Sequence, residues 1–184
     1  MKPLTMVGRG ESWRECPFNT EEIWGAATCL ITEGLADKPY TKVFAFDGDL
    51  DKRIKQSLEV ARSRNLPIVS SEHYATEVWP SREIVKDTGT SYFLDTISRM
   101  LGYAIYLRYQ KIFLYGIDYG PQWANMQSKA VVSFWLGYAM GRGIDIRLGR
   151  GSMKWVYTLG PLPEGTPAEL PLRERISENI CVSA

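Results

Sequence analysis

The sequence contains little cysteine and almost no histidine, the residue types that most often build metal and redox sites. It has three cysteines, Cys16, Cys29 and Cys181, and one histidine, His73, among 184 residues. The cysteines are odd in number, widely spaced and outside any CxxC pattern. This argues against a disulfide framework or a zinc site and indicates a reducing compartment. We therefore predict that Cys16 and Cys29 pack as small apolar residues.

The sequence also lacks a marked excess of either charge and any long hydrophobic run. Its 22 basic and 21 acidic residues give a net charge of +1, so the overall charge does not favour nucleic acid or an acidic membrane surface as a partner. Apolar stretches are interrupted by polar residues and are too short to cross a bilayer, and the first residues lack the pattern of a signal peptide. We expect a cytoplasmic protein without a membrane partner.

What the chain does have is an alternation of short apolar runs with longer segments of helical period. This alternation predicts an α/β fold with a mostly parallel sheet wrapped by helices. Predicted strands lie at residues 4–7, 27–32, 42–46, 67–69, 111–115, 144–148 and 155–158. We assign residues 1–159 to a single domain and the proline-rich residues 160–184 to a C-terminal arm or partly disordered tail.

One segment, residues 89–120, has the pattern of a complete turn, helix and strand. The polar turn Gly89, Thr90 and Ser91 precedes a predicted helix at residues 92–109, and Asp118 follows the predicted strand at 111–115. Ligands of open α/β sheets bind beyond the carboxyl ends of the strands. We therefore predict a cleft in which the turn, placed at the helix N-terminus, holds a phosphate or ribose. Asp118 either acts chemically there or caps a turn.

A glycine-rich turn follows the first predicted strand. Gly8, Arg9 and Gly10 are followed by Ser12, and glycines at this place let the backbone approach a phosphate while the next helix supplies N–H groups. We predict these four residues as nucleotide-binding. The alternative is a strand-to-helix turn that needs glycine for its conformation alone, and Glu11 would oppose an anion.

Acidic residues follow another apolar strand, at Asp47, Asp49 and Asp51. Two acids at alternate positions beyond a strand can hold a divalent cation, Mg²⁺ or Mn²⁺, that bridges a nucleotide diphosphate. We predict Asp47 and Asp49 as metal ligands and Asp47 also as a catalytic candidate. Asp51 is expected to cap the next helix.

Two further features each leave two interpretations open. His73 lies in an irregular stretch and is either a general base that reaches the cleft or an incidental loop residue. The aromatic helix predicted at residues 122–140 either packs in the core or forms a homo-oligomer contact.

Six motifs in this order resemble a Rossmann-like superfamily. They lie at residues 7–13, 24–25, 44–49, 96–106, 112–118 and 135–144. The superfamily includes bacterial sialyltransferases of the CMP-sialic-acid type, archaeal 6-hydroxymethylpterin diphosphokinases (MptE-like) and phage proteins of unknown function. The likeness to the phage proteins covers roughly residues 3–155. It implies a single-domain, Rossmann-like three-layer sandwich from a bacterium or a phage-infected host cell.

The resemblance also implies a nucleotide-binding cleft that the turns at residues 8–10 and 89–91 approach. The expected function is binding of a nucleotide or nucleotide-sugar, with transfer of a glycosyl or phosphoryl group. Those sialyltransferases carry a catalytic histidine after the motif that ends here at Asp118, and an asparagine where this chain has Arg9; the chain has no histidine after Asp118. The alternative is therefore a non-catalytic phage accessory protein that binds a nucleotide or a protein partner.

Overall fold

The computed structural model describes residues 3–47, 51–119, 123–149 and 152. Within these residues the chain forms seven β-strands and four α-helices. In chain order they are β1 Pro3–Val7, β2 Glu22–Ala26, β3 Lys42–Phe44, α1 Lys52–Ser63, β4 Ile68–Ser70, β5 Glu77–Val78, α2 Ser81–Thr88, α3 Thr96–Tyr106, β6 Lys111–Tyr115, α4 Trp123–Gly141 and β7 Asp145–Leu148. Two short 3₁₀ helices lie at Glu11–Glu15 and Ala27–Ile31. The predicted strand at residues 155–158 and the predicted arm at residues 160–184 lie outside the described residues.

The seven strands are all parallel and form one sheet in the order β5-β4-β3-β2-β1-β6-β7. β1 lies between β2 and β6, so that Val7 pairs with Gly25 on one side and Tyr115 on the other. Parallel strands are apolar along their length because helices cover both faces of the sheet. The predicted α/β fold with a parallel sheet is confirmed.

Side chains of successive strand residues enter two separate cores, because their direction alternates along a strand. Leu4 and Met6 of β1 belong to the core that α2, α3 and α4 cover. Val7 belongs to the other core, with the buried Ile54 and Leu58 of α1. The molecule is therefore the three-layer sandwich that the resemblance implied.

Both cysteines in the described residues lie in the core on the α1 side. Cys16 and Cys29 are buried and free, which confirms that they pack as small apolar residues. Burial raises the pKa of the Cys16 thiol to about 11 and that of the Cys29 thiol to about 12. Both thiols therefore stay protonated at neutral pH.

α4 contributes mainly to the opposite core. Val132, Trp135 and Ala139 are completely buried there, and the indole Nε1 of Trp135 donates a hydrogen bond to the carbonyl of Tyr92 at 2.6 Å. The interpretation of this helix as a core element is confirmed, while its homo-oligomer contact stays a prediction. Among the described helices, none is long and apolar enough to cross a membrane.

The second strand was predicted in the wrong place. Ala27–Ile31 form a 3₁₀ helix instead, and the strand precedes them as β2. Ala27, Cys29 and Leu30 are buried while Thr28 and Ile31 are partly exposed. A short apolar run of this kind lacks the period that separates a strand from a buried helical turn.

The start of the long helix before β6 was also predicted wrongly. α3 begins at Thr96 rather than at residue 92, because Asp95 accepts a hydrogen bond from the Ser98 N–H at 2.8 Å and forms a capping box with Ser98. Gly89 instead follows the end of α2, with a left-handed φ of +70°. The turn at residues 89–91 is therefore not at a helix N-terminus.

The strand order places a topological switch point between β1 and β6. From β1 the chain proceeds outward through β2 to β5, whereas β6 and β7 extend the sheet on the other side. In open α/β sheets the crevice outside the carboxyl ends of the strands at such a point is where ligands bind. The loops after β1 and β6 therefore border the expected ligand-binding crevice.

Candidate functional site

A cavity of about 860 Å³ lies at the carboxyl ends of β1, β2, β3 and β6. The loops that follow these strands line it together with the beginnings of α1 and α3 and part of α4. Its volume falls within the range of about 300–1,000 Å³ that small-molecule sites occupy. Five residues predicted from the sequence line it, namely Gly8, Arg9, Gly10, Asp47 and Asp118.

The glycine turn after β1 packs against the turn after β6. The Gly8 N–H donates to the Tyr115 carbonyl at 2.9 Å and the Gly10 N–H to the Gly116 carbonyl at 2.8 Å. A Cβ on Gly8 would lie 2.3 Å from the Gly116 oxygen, and one on Gly10 would lie 2.5 Å from Asp118 Cγ. These two amides are thus occupied within the protein, and the glycines are required by the approach of the two loops.

Ser12 joins the same two loops from a buried position. Its Oγ donates to Asp118 Oδ1 and accepts from the Gly116 N–H at 2.9 Å. Ser152 Oγ lies 2.8 Å from Ser12 Oγ, and because the Ser12 proton goes to Asp118, Ser152 is the donor. Ser12 therefore has a structural role. We predicted that it binds nucleotide, but it is not among the residues that line the cavity.

Asp118 reaches the cavity wall while both its carboxylate oxygens are bonded to Ser12. Oδ2 accepts from the Ser12 N–H at 2.9 Å and Oδ1 from the Ser12 hydroxyl. This is the turn-stabilising role that the sequence left open. A catalytic role for Asp118 stays a prediction.

Asp47 lies at the cavity with an exposed side chain after β3. Its carbonyl accepts a hydrogen bond from the Tyr74 hydroxyl at 2.7 Å, which fixes the backbone there. Asp49, the second predicted metal ligand, lies outside the described residues. Within the described part of the chain, no group of three or more histidine, cysteine, aspartate or glutamate side chains is placed to hold a metal ion.

Two other predicted features lie away from the cavity. Gly89, Thr90 and Ser91 do not line it, and the Thr90 hydroxyl accepts a hydrogen bond from the Tyr92 N–H at 3.2 Å. His73 is exposed, with its ring 5.6 Å from that of Tyr74, and does not line the cavity either. This favours the interpretation of His73 as a loop residue outside the site.

Asp51 caps α1 at the rim of the cavity, as expected. Its Oδ1 accepts from the Arg53 N–H at 2.8 Å, and its Oδ2 forms an ion pair with Arg53 Nη2 at 2.8 Å. The hydrogen bonds from Arg53 lower the pKa of the Asp51 carboxyl to about 2. The cap is therefore charged at all but the lowest pH.

This lowered pKa predicts a pH-dependent contribution to stability. Because the pKa of Asp51 is lower in the folded protein than in the unfolded chain, its contribution is complete above about pH 4 and is lost as the pH falls toward 2. In calorimetric melts, the Tm difference between wild type and Asp51→Asn should shrink over that interval. A constant Asp51 difference from pH 5 to pH 2 would contradict the prediction.

The structure adds a cavity residue that the sequence analysis missed, Arg99. Its guanidinium lies over the ring of Phe46, 4.7 Å from the centroid, and lines the cavity. Burial lowers the pKa of Arg99, against the opposing influence of Asp95, Asp47 and Glu72. No sequence signal distinguished it, because in the helix predicted at residues 92–109 it is an interior residue and not one of the first turn.

Asp95 and Tyr119 form a second polar pair on the cavity wall. The Tyr119 hydroxyl donates to Asp95 Oδ2 while Asp95 Oδ1 holds the Ser98 N–H. Burial and the Asp95 carboxylate raise the pKa of the Tyr119 phenol. Tyr119 has a left-handed φ of +30°, an uncommon conformation for a residue with a side chain.

A second cavity, of about 760 Å³, lies at the opposite, amino end of β6 and β7. Its charged side chains are paired with acids on the protein: Arg108 and Arg142 with Asp87, and Lys111 with Asp145 at 3.6 Å. The Asp87 pairs join the ends of α3 and α4 to α2, and the Lys111–Asp145 pair joins β6 to β7. The cavity at the carboxyl ends is therefore the candidate site.

Comparison with known proteins shows the fold of the chain and no closer relationship. No family model matches it, and no curated protein matches it. The sialyltransferase CstII from Campylobacter jejuni, solved with cytidine-5'-monophosphate, is similar with a TM-score of 0.56 and 15% identity, over 80% of this chain and 79% of that one. CstII with CMP-3FNeuAc gives a TM-score of 0.53 at 15% identity, over 80% of each chain.

Thiamine pyrophosphokinase from Bacillus subtilis is also similar, with a TM-score of 0.49 and 14% identity over 80% of this chain. The chain spans 60% of that enzyme's length. At 15% identity the likeness to CstII shows the architecture, and it confirms that the chain shares the α/β fold of that enzyme.

Proposed function

We propose that the protein binds a nucleotide or nucleotide-sugar in the cavity at the carboxyl ends of its strands, and that it transfers a glycosyl or phosphoryl group there. The observation that carries this proposal is the cavity's position, at the switch point between β1 and β6, together with a volume suited to such a ligand. The fold shared with CstII, a sialyltransferase solved with CMP, supports the same class of ligand.

In this proposal the side chains, rather than the glycine amides, contact the phosphate. Arg9 lines the cavity and is exposed, so its guanidinium can reach a phosphate oxygen. Asp47 is the exposed carboxylate of the site and would act as base or as a ligand of Mg²⁺ or Mn²⁺. Mg²⁺ commonly binds to one or two carboxylates together with substrate phosphates. Asp47 alone would therefore hold the ion only when the nucleotide is bound and supplies its phosphate oxygens.

A non-catalytic, nucleotide-binding protein is the second candidate. It is favoured by the engagement of both Asp118 oxygens by Ser12 and by the position of His73 outside the cavity. A binding protein needs the cavity and its cations but no general base. The two candidates differ in whether a bound nucleotide-sugar or ATP is consumed.

A thermal-shift panel of CMP, CDP-, UDP- and GDP-sugars and ATP, each with and without Mg²⁺ or Mn²⁺, tests the proposal. A ligand present at about a hundred times its Kd adds about 2.7 kcal/mol of stability. For a chain of this size that raises the Tm by about 5–10 °C. If none of these ligands raises the Tm, nucleotide binding is wrong; if one does and it is not consumed, the non-catalytic candidate is supported.

A further inference from the structure

The position of Arg99 is unusual for a cation that stabilises a fold. It is the fourth residue of α3, near the helix end at which a positive charge is unfavourable. The side chain is half-buried, with its guanidinium stacked over Phe46 in the wall of the cavity. The end of α3 itself is closed by the capping box of Asp95 and Ser98.

The guanidinium of Arg99 has carboxylates near it but no acceptor. Asp95, Asp47 and Glu72 favour its charge from a distance. Within the described part of the chain, however, no carboxylate or carbonyl forms an ion pair or a hydrogen bond with the side chain. The two oxygens of Asp95 accept from the Tyr119 hydroxyl and from the Ser98 N–H instead.

The other arginines of the cavity are placed differently. Arg53 is paired with Asp51, and Arg9 is exposed to water. A guanidinium stays charged in proteins, and a charge removed from water is costly unless it is paired. Arg99 is thus a half-buried cation that faces the cavity and has no hydrogen-bond acceptor among the described residues.

We propose that Arg99 binds an anionic oxygen group of the ligand through its guanidinium, held in place by the ring of Phe46. This inference rests on the proposed function and names the contact that would select a charged ligand. The planar guanidinium fits phosphate and carboxylate oxygens in pairs. The group is either a phosphate of the nucleotide or a carboxylate on the transferred sugar.

Titration calorimetry on wild type, Arg99→Met and Arg99→Lys tests this inference, with CMP, UDP-glucose and UDP-glucuronate as probes and cytidine as the neutral comparison. Loss of a charge-assisted contact should weaken binding about 10- to 100-fold in Arg99→Met, and less in Arg99→Lys. If the group is a phosphate, CMP and UDP-glucose both lose affinity while cytidine does not. If it is a sugar carboxylate, the loss is confined to UDP-glucuronate.

Arg82→Met is the matched control, because Arg82 is an exposed arginine in the first turn of α2, away from the cavity. It should bind every probe as wild type does. The Tm of Arg99→Met without ligand should stay close to that of wild type, because the lost contact with Phe46 is offset by removal of a half-buried charge near the helix N-terminus. A substitution that weakens binding without lowering stability is the signature of a ligand contact.

Three results would distinguish a wrong role for Arg99 from a wrong proposed function. If wild type binds a charged probe and Arg99→Met binds it equally well, the role of Arg99 is wrong while the proposed function remains. The same conclusion follows if Arg99→Met lowers the Tm and leaves affinity unchanged, which indicates a structural role. If wild type binds none of the probes, and none in the thermal-shift panel, the proposed function itself is overturned.

Discussion

Replacing Gly116 with alanine should lower the free energy of unfolding by about 3–5 kcal/mol, because strain and a steric clash act together. Gly116 has a φ of +68°, and a Cβ there would lie 2.2 Å from the Gly8 carbonyl oxygen. The obstacle is backbone, held in place by the pairing of β1 with β6, so it cannot move aside as a flexible side chain would. Urea denaturation followed by circular dichroism measures the effect.

Gly143→Ala provides the matched control for this prediction. Gly143 has a φ of +80°, but a Cβ there would meet nothing within 4 Å. Its replacement should cost only the conformational strain, about 1–2 kcal/mol. Equal losses for the two variants would show that the contact between the two loops does not matter, and would contradict our account of the glycine turn.

The glycine turn illustrates which part of the site the sequence could predict. Gly8 and Gly10 follow the first strand, and that position alone correctly placed them at the carboxyl edge of the sheet and in the cavity wall. The reason why glycine is needed at these two positions could not be predicted from the sequence, because it depends on a turn more than one hundred residues later in the chain. Only the structure shows that the Gly116 carbonyl and the Asp118 carboxylate occupy the space that a side chain would need.

The start of α3 shows that helical period alone does not determine where a helix begins. Residues 92–109 have helical period, but the helix begins where a side chain can satisfy the free amides of its first turn, and Asp95 with Ser98 does so. The sequence contained this signal in its Asp-x-x-Ser spacing. Because the predicted start was four residues too early, the helix N-terminus was assigned to the turn at residues 89–91, which lies outside the cavity. The observed start of α3 lies in the cavity wall.

Arg99 could not be identified as a site residue from the sequence, for a different reason. As one of 22 basic residues, it is distinguished only by its surroundings: burial over Phe46, nearby carboxylates that do not contact it, and the cavity. Each of these depends on packing between α3 and the loop after β3. The periodicity of the sequence predicts the fold class and the edge of the sheet at which the site lies. The charged contacts within the site can be identified only in the folded structure.

Replacing Ser12 with alanine should destabilise the protein by about 2–4 kcal/mol, because one hydroxyl serves three partners. Its loss leaves the buried Gly116 N–H without an acceptor, Asp118 Oδ1 without the hydroxyl donor, and the buried Ser152 hydroxyl without its partner. An unsatisfied buried group costs more than the bond itself contributes. Equilibrium unfolding in urea measures the loss.

Ser63→Ala is the control for Ser12→Ala, because the Ser63 hydroxyl makes a single exposed bond to the Val60 carbonyl. It should change the stability by less than about 0.5 kcal/mol. If Ser12→Ala is no more destabilising than Ser63→Ala, then Ser12 and Asp118 do not hold the loops after β1 and β6 together. The carboxylate of Asp118 would then be released from its structural role, and its predicted part in catalysis would gain support.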